Sequence, residues 1–343
     1  MPASAFICGL SGERLKDDER QFLRASEPAG IILFGRNCTT RNQIYRLISE
    51  ARDAIGREDT LVLVDQEGER VSRLKPPEWR PLIDAMEIAD MAERDWSGAL
   101  QTATALARLI AHDLREVGFN IACGPVLDMP TEDAHDIIGS RAFGRDLDTI
   151  IPLAHAFAEG LAELGVCPVG KHVPGHGRAR SDTHHELAIV EVERETLAAT
   201  DFAPFRAFSR LPAMMTAHVV FADIDDTEPA STSARVHTEV IRGDIGFDGL
   251  LMSDDINMAA LDGTSGRRAE RVIAAGSDIV LHCSGALDEM EAVAAVVPRL
   301  DGQSEARLQA CHMSASRDEP VDVAEAEALI AAVRATRASG LPA

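Results

Sequence analysis

The sequence lacks any apolar run that approaches the ~20 residues needed for a helix to span a bilayer. Its first residues also lack the basic stretch followed by an apolar core that is typical of a secretory signal peptide. The six cysteines follow no repeated spacing and several lie in apolar runs, which argues against a disulfide framework and indicates reduced thiols. These absences predict a soluble protein of the cytoplasm.

Positive charge is also scarce, because 34 lysine and arginine residues face 56 aspartate and glutamate residues, for a formal net charge of −22. A protein of this charge repels nucleic acid and anionic membrane surfaces, so neither is an expected partner. Any bound anion would need a local group of Lys or Arg side chains. The hydrophobic content of 45% is ample for a full core, and 343 residues allow one large barrel or two ordinary domains.

Short apolar runs alternate with longer amphipathic segments along the chain. Eight runs are typical of buried strands, at residues 5–8, 30–34, 60–65, within 119–128, 166–172, 213–218, 249–254 and 278–283. Helices are expected at 17–24, 41–54, 100–117, 147–164, 192–209, 235–244, 267–275, 287–297 and 321–337. This α/β alternation favours a (β/α)8 barrel of the TIM type.

An open, doubly wound sheet is the alternative, but no Gly-rich phosphate loop follows the first strand. Polar residues also end many of the predicted strands, namely Asp65, Asp128, Lys171, His172, His218 and Asp254. A closed barrel would bring these strand ends to one mouth, whereas an open sheet would spread them along a crevice. We therefore predict a single catalytic barrel domain over residues 1–343, with closing helices at about 285–338.

The densest group of polar residues follows the apolar run at 166–169. Residues 171–177 are Lys-His-Val-Pro-Gly-His-Gly, and residues 182–185 are Asp-Thr-His-His. Proline and glycine exclude a regular helix there and favour a shaped loop. Because burying so many polar groups is costly unless they are used, this loop indicates a functional site.

Two further segments carry groups that can do chemistry. Asp254 ends the strand-like run at 249–253, and Asp255 after it is a candidate helix N-cap. A histidine loop that faces an acidic strand end supplies an acid/base and a nucleophile, which are the minimum for covalent glycosyl transfer. Residues 65–73 combine carboxylate, amide and guanidinium groups, which suit a hydroxyl-rich ligand, although a surface ion-pair cluster is the alternative.

Taken in order, five segments resemble family-three glycoside hydrolases, and in particular their single-domain bacterial β-N-acetylglucosaminidases (β-hexosaminidases) of peptidoglycan recycling. The segments are VDQEG-x-RV-x-R at 64–73, G-x-RAFG at 139–144, KHVPGHG with DTH at 171–184, MMTAHV at 214–219 and GLLMSDD at 249–255. The resemblance extends over residues 6–283.

The resemblance implies a role for each matching position. Asp254 would be the nucleophile, His184 the general acid/base, and Asp182 the carboxylate that orients His184. The N-acetylglucosamine unit would be bound by Asp65, Arg73, Arg141, Lys171 and His172. His176 would shape the loop, and no metal or cofactor would take part.

A histidine suits the acid/base role because its ordinary pKa is about 6.5 and a neighbouring carboxylate raises it. We therefore expect a monomeric, retaining hydrolase whose substrate is a small carbohydrate, a GlcNAc-containing muropeptide disaccharide.

Three positions depart from the family pattern. Glu69 replaces the second glycine of VDQEGG, so the backbone is strained there if this position needs a positive φ. Thr183 replaces a serine, and Val173 replaces a phenylalanine. None of the three is a proposed catalytic group.

Three other functions compete with this interpretation. A metal-dependent barrel hydrolase could use ligands from His172, His176, His184, His185, His218 and Asp254, but the first strand offers no His-x-His pair. A phosphorylase would use phosphate in place of water at the same site. A non-catalytic sugar-binding relative is disfavoured because Asp254, Asp182 and His184 are all present.

Overall fold

A computed structural model describes residues 2–183, 186–315 and 322–338. Its strands are β1 (Ser4–Gly9), β2 (Pro28–Leu33), β3 (Leu61–Val64), β4 (Ile121–Ala122), β5 (Cys167–Val173), β6 (Ala188–Val190), β7 (Ala213–Thr216), β8 (Val219–Phe221), β9 (Leu250–Asp255) and β10 (Ile279–His282). Eight of them form a closed parallel barrel in the order β1-β2-β3-β4-β5-β7-β9-β10, and β10 pairs again with β1. The closed barrel confirms the predicted (β/α)8 fold, and each predicted apolar run overlaps one barrel strand.

Helices surround the barrel. They are α1 (Asp17–Ser26), α2 (Arg41–Ile55), α3 (Ala85–Ala92), α4 (Trp96–Val117), α5 (Leu147–Glu163), α6 (Arg194–Ala199), α7 (Phe202–Ala207), α8 (Ser265–Ala275), α9 (Leu287–Ala294), α10 (Gly302–Ser314) and α11 (Val323–Ala338), with a π-helical segment at Val236–Asp244. Within the described ranges, no helix combines the length and the apolar character needed to cross a membrane.

The barrel has an apolar interior because alternate side chains of each strand point inward. Ile7, Ile32, Leu63, Val169 and Met252 belong to this inner cluster and are at most 1% exposed. Leu308 and Cys311 of α10 join the same cluster. The interior is therefore filled, and any ligand must bind at one end of the barrel.

The sequence predicted one helix over 192–209, which was wrong, because α6 and α7 are separate helices. Pro204 lacks a backbone N–H and its ring would clash with the carbonyl of Thr200 in a continuous helix. The chain accordingly leaves the helical conformation at Thr200, where φ is −120° and ψ is −79°. The helices α3 and α10 and the parallel pair of β6 and β8 were not predicted.

Candidate active site

A cavity of about 200 Å³ lies at the C-terminal ends of the strands. Its lining includes seven residues that the sequence proposed for the site, namely Asp65, Arg73, Arg141, Lys171, His172, His176 and Asp254. Asp182 is half-buried and lies outside the lining. His184 and its neighbour His185 fall outside the described residues.

Two carboxylates and three cations form one connected group on one side of the cavity. The ammonium of Lys171 at the end of β5 donates to Asp65 at 2.8 Å and contacts Glu67 at 2.6 Å. Arg73 donates to the other oxygen of Asp65 at 3.0 Å. Arg141 makes a two-pronged contact with Glu67 at 2.8 and 2.9 Å. The surface ion-pair alternative is therefore wrong, because the Lys171 and Glu67 side chains are only 3% and 7% exposed.

These contacts keep both carboxylates of the group charged. Burial alone would raise the pKa of Asp65, but Lys171 and Arg73 lower it well below its usual range. Burial would also raise the pKa of Glu67, but Arg141 and Lys171 lower it to about 2. Fixed charges of both signs can serve as donors and acceptors for the hydroxyl groups of a sugar.

Glu67 is a site residue that the sequence did not single out. Its partner Arg141 is 74 positions away in the chain, so only the folded loops bring the pair together. The sequence feature that could have identified Glu67 is its position two residues after Asp65, in the segment that follows a buried strand.

A second group surrounds the carboxylate of Asp128, which is 0% exposed. Asp128 accepts from Nδ1 of His172 at 2.6 Å and from the backbone N–H of His176 at 2.7 Å. Because an ionised carboxylate can only accept, Nδ1 of His172 carries a proton, and this contact holds the ring at the edge of the cavity that it lines. Burial would raise the pKa of Asp128, but His172 lowers it.

Asp254 is the penultimate residue of β9 and lines the floor of the cavity. Its Oδ1 accepts the backbone N–H of Asp255 at 2.7 Å. Burial would raise the pKa of Asp254, but the neighbouring His172 and the backbone N–H of Asp255 lower it. The side chain is therefore held as a carboxylate, which is the form that can act as a nucleophile.

Asp255 is not the helix N-cap that the sequence suggested. The next helix, α8, begins ten residues later and is capped by Thr264. The Oδ1 of Asp255 instead accepts the backbone N–H groups of Asn257 and Cys283, each at 3.0 Å. Burial raises the pKa of Asp255 to about 6.

The histidine loop is held against the loop that follows β4. The backbone N–H of Thr131 donates to the carbonyl of Gly177 at 3.1 Å, and the N–H of His135 donates to the carbonyl of Ala179 at 2.8 Å. Within the loop, Nε2 of His176 lies 3.1 Å from the hydroxyl of Thr183. Burial lowers the pKa of His176 to about 4, so its ring is neutral.

The departures from the family pattern fit without strain. Glu27 is the one non-glycine position with a positive φ among the described residues, so the strain considered for Glu69 does not arise. Glu69 is exposed and contacts Arg337 of α11. Val173 is buried in β5, and Thr183 supplies the hydroxyl that meets His176.

In the described part of the chain, one group has a geometry that could hold a metal ion, and it lies on α4 outside the cavity. It consists of His112, Asp113 and Glu116. Arg80 already contacts Asp113 with two nitrogens at 2.8 and 2.9 Å, and this guanidinium opposes a cation there.

Comparison with known proteins relates this chain to one family of glycosyl hydrolases. The family model described as the glycosyl hydrolase family 3 N-terminal domain matches residues 5–313. A curated β-hexosaminidase of Alkalilimnicola ehrlichii is 37% identical over 313 residues, which cover 89% of this chain and 88% of that protein. The β-hexosaminidase of Bordetella avium is 35% identical over 288 residues, with coverage of 83% and 81%.

A solved structure agrees with this relationship. NagZ from Neisseria gonorrhoeae in complex with N-trifluoroacetyl-D-glucosamine is 31% identical, has a TM-score of 0.87 and covers 97% of this chain and 98% of its own. Since the family model spans most of the sequence and the curated relatives match over more than four fifths of their length, the chain belongs to glycosyl hydrolase family 3.

Proposed function

We propose that the protein is a retaining hydrolase that removes terminal β-linked N-acetylglucosamine from peptidoglycan fragments through a covalent glycosyl-enzyme. Its broader activity, that of a β-N-acetylhexosaminidase, follows from its family and from its similarity to the curated β-hexosaminidases. The observation that carries the finer proposal is the ionised Asp254 on the floor of a cavity lined with groups that suit sugar hydroxyls.

In the first step, the carboxylate of Asp254 attacks the anomeric carbon of the bound sugar. The bond from this carbon to the glycosidic oxygen breaks, and that oxygen takes a proton from the imidazolium of His184. In the second step, water attacks the same carbon and gives a proton to the now neutral His184, and the bond to Asp254 breaks. Two displacements retain the β configuration.

Asp182 would orient His184 and stabilise its imidazolium, as a carboxylate does for other catalytic histidines. A histidine acid also fits the charges around Asp254. The cavity-lining carboxylates Asp65 and Glu67 are tied to cations, so neither is placed to carry a proton for the reaction.

The sugar unit would be bound by the two buried groups already described. Lys171, Asp65 and Arg73 would supply one set of donors and acceptors, and His172, held by Asp128, would supply the other. The amino-sugar ligand named for the gonococcal NagZ structure supports an N-acetylated hexosamine at this position. We propose a muropeptide disaccharide as the substrate, because the family resemblance includes enzymes of peptidoglycan recycling.

Asp255 is a second candidate for the general acid, because a pKa of about 6 suits proton donation near neutral pH. It directly follows Asp254 in the chain, however, and one of its oxygens already accepts two backbone N–H groups. In retaining enzymes the acid and the nucleophile flank the scissile bond, so the His184 assignment is favoured.

The proposal is tested with the β-N-acetylglucosaminide and the β-glucoside of p-nitrophenol, followed by NMR of the first anomer released from the preferred one. We expect rapid turnover of the N-acetylated substrate and β-N-acetylglucosamine as the initial product. Equal rates on both substrates would contradict the specificity, and an initial α-anomer would contradict the covalent mechanism. Sugar 1-phosphate formed in phosphate buffer would instead support the phosphorylase alternative.

The natural substrate is tested separately with N-acetylglucosaminyl-anhydro-N-acetylmuramic acid, with and without its peptide. We expect release of N-acetylglucosamine from both. If the enzyme cleaved chitobiose efficiently but neither muropeptide fragment, the peptidoglycan assignment would be abandoned while the hexosaminidase activity stood.

A further inference from the structure

We propose that His218, which follows β7, is a positioning residue that fixes the nucleophile through a hydrogen bond to the next residue, Asp255. This inference rests on the assignment of Asp254 as the nucleophile. His218 is 0% exposed and is absent from the cavity lining, so it acts through the protein and not on the sugar.

The hydrogen bonds of His218 define its protonation. Its Nε2 lies 2.9 Å from the backbone carbonyl oxygen of Asp255, and its Nδ1 lies 2.6 Å from the hydroxyl of Ser231. A carbonyl oxygen can only accept, so Nε2 must carry the hydrogen. Burial lowers the pKa of His218, which keeps the ring neutral, and Nδ1 therefore accepts the Ser231 hydroxyl.

Asp255 is consequently held from two neighbouring strands. His218 binds its carbonyl from the side of β7, and the backbone N–H of Cys283, beyond β10, binds its carboxylate at 3.0 Å. The backbone N–H of Asp255 in turn donates to Oδ1 of Asp254 at 2.7 Å. This chain of contacts anchors one oxygen of the nucleophile and leaves the other to attack the sugar.

A neutral donor suits this position. A positively charged histidine beside Asp254 would stabilise the carboxylate and make it a weaker nucleophile, whereas a neutral ring supplies the hydrogen bond without that charge. If the bond to the Asp255 carbonyl is lost, the end of β9 can shift, and a displacement of about 1 Å at the reacting atoms can cost ~100-fold in rate.

The experiment compares His218→Leu with His218→Gln. Leucine fills the space without a donor, whereas the glutamine amide can still donate to a carbonyl. The measurement is the rate at which a slowly hydrolysed, fluorinated N-acetylglucosaminyl fluoride labels Asp254, together with kcat and KM. We expect His218→Leu to label ~100-fold more slowly with a KM close to that of the wild type, and His218→Gln to recover most of the rate.

His237→Leu is the matched control. His237 is 2% exposed, and its two ring nitrogens bond to the carbonyl of Ser233 and the hydroxyl of Ser277, each at 2.9 Å, outside the cavity. This substitution also removes a buried, neutral, doubly bonded histidine, so it should lower stability without changing the labelling rate of the folded enzyme.

Labelling at the wild-type rate in His218→Leu, or slowing no greater than in His237→Leu, would overturn the proposal. If His218→Leu does not fold, Ser231→Ala decides the question. We expect Ser231→Ala, which lets the ring turn, to slow labelling with KM unchanged, and a wild-type labelling rate in this variant would refute the positioning role. A wild-type enzyme labelled at another residue would instead mean that the nucleophile assignment itself had failed.

Discussion

At the scale of single residues, the site depends on charges that are buried and paired. Lys171 contacts both Asp65 and Glu67, so removing either carboxylate leaves the ammonium under-compensated in a position that is only 3% exposed. Losing one member of a buried charged group is costly because the remaining charge cannot return to water. This makes Glu67 as important to the site as the residues expected to touch the sugar.

We predict that Glu67→Gln destabilises the protein by about 3 kcal/mol and raises KM at least tenfold, because Arg141 and Lys171 lose their shared anchor. Urea unfolding and steady-state kinetics measure the two effects. Glu69→Gln is the control, since its exposed contact with Arg337 should be worth less than about 1 kcal/mol and KM should not change. Similar effects for the two variants would contradict the anchoring role.

The acid/base assignment makes a separate prediction. His184→Ala should slow substrates with poor leaving groups, such as disaccharides, ~100–10,000-fold more than activated aryl glycosides, which hardly need protonation. Asp182→Ala should cause a smaller loss and lower the pKa of the acidic group in the pH–rate profile.

His185→Ala serves as the neighbouring control and should be far milder. Asp255→Asn should leave the dependence on the leaving group unchanged. Equal damage from His184→Ala and His185→Ala across leaving groups, or a uniform slowing of all substrates in His184→Ala, would remove His184 from its proposed role.

At the scale of elements, the loop after β4 supports the histidine loop, which follows β5. The two loops leave no room for a side chain at Gly177, because a Cβ at this position would lie 1.9 Å from the carbonyl oxygen of Met129. The backbone of the two loops is also joined by hydrogen bonds at Gly177 and Ala179.

Gly177→Ala should therefore separate the two loops, lower stability and reduce kcat by at least tenfold, because the segment that carries Asp182 and His184 is displaced. Thermal unfolding and turnover of the aryl substrate measure these effects. Gly12→Ala is the control, since a Cβ there meets no atom within 4 Å. Full activity in Gly177→Ala would show that the close packing of these loops is not needed.

Elements also differ in how far the sequence predicts them. The eight barrel strands were predictable because each lies in a short apolar run, and many of these runs end in a polar residue, as in β9, which ends with Asp254 and Asp255. The paired strands β6 and β8 were not, because each has three residues and depends on its partner across the chain. The helix break at Thr200 needed attention to Pro204, which the apolar periodicity of 192–209 concealed.

Within the site as well, some contacts could be predicted from the sequence and others could not. Asp65, Lys171 and Asp254 could be placed together from sequence because a barrel gathers its strand ends. The partners of Glu67 and His218 could not, since the contacts with Arg141 and with the carbonyl of Asp255 join residues 74 and 37 positions apart and no local pattern encodes them.

At the scale of the whole molecule, buried carboxylates determine how stability depends on pH. Asp65, Glu67, Asp128 and Asp254 all have a pKa below that of the unfolded chain, which is about 4. Their contribution to stability is present above pH ~4 and is lost as the pH falls through their folded pKa values, about 2 for Glu67. Asp255 acts in the opposite sense, because its pKa is raised to about 6.

We therefore predict that the free energy of unfolding decreases steeply as the pH falls below ~4. The contribution of Asp255 is present below pH ~4 and is lost as the pH rises through about 6, so Asp255→Asn should flatten the curve in that interval. The midpoint of urea unfolding, measured for the wild type and for Asp255→Asn from pH 2.5 to 7, tests both predictions. A protein that is most stable near pH 3 would contradict the charged state assigned to the buried carboxylates.

The most direct test of the whole account is to trap the glycosyl-enzyme and identify the labelled residue. A fluorinated N-acetylglucosaminyl fluoride that reacts quickly but hydrolyses slowly should add one sugar to the protein, and peptide mass spectrometry should locate it on Asp254. Asp254→Asn should take no label and lose turnover by several orders of magnitude, and its urea unfolding transition should be as cooperative as that of the wild type. A label on Asp255, or turnover that persists in Asp254→Asn, would contradict the account.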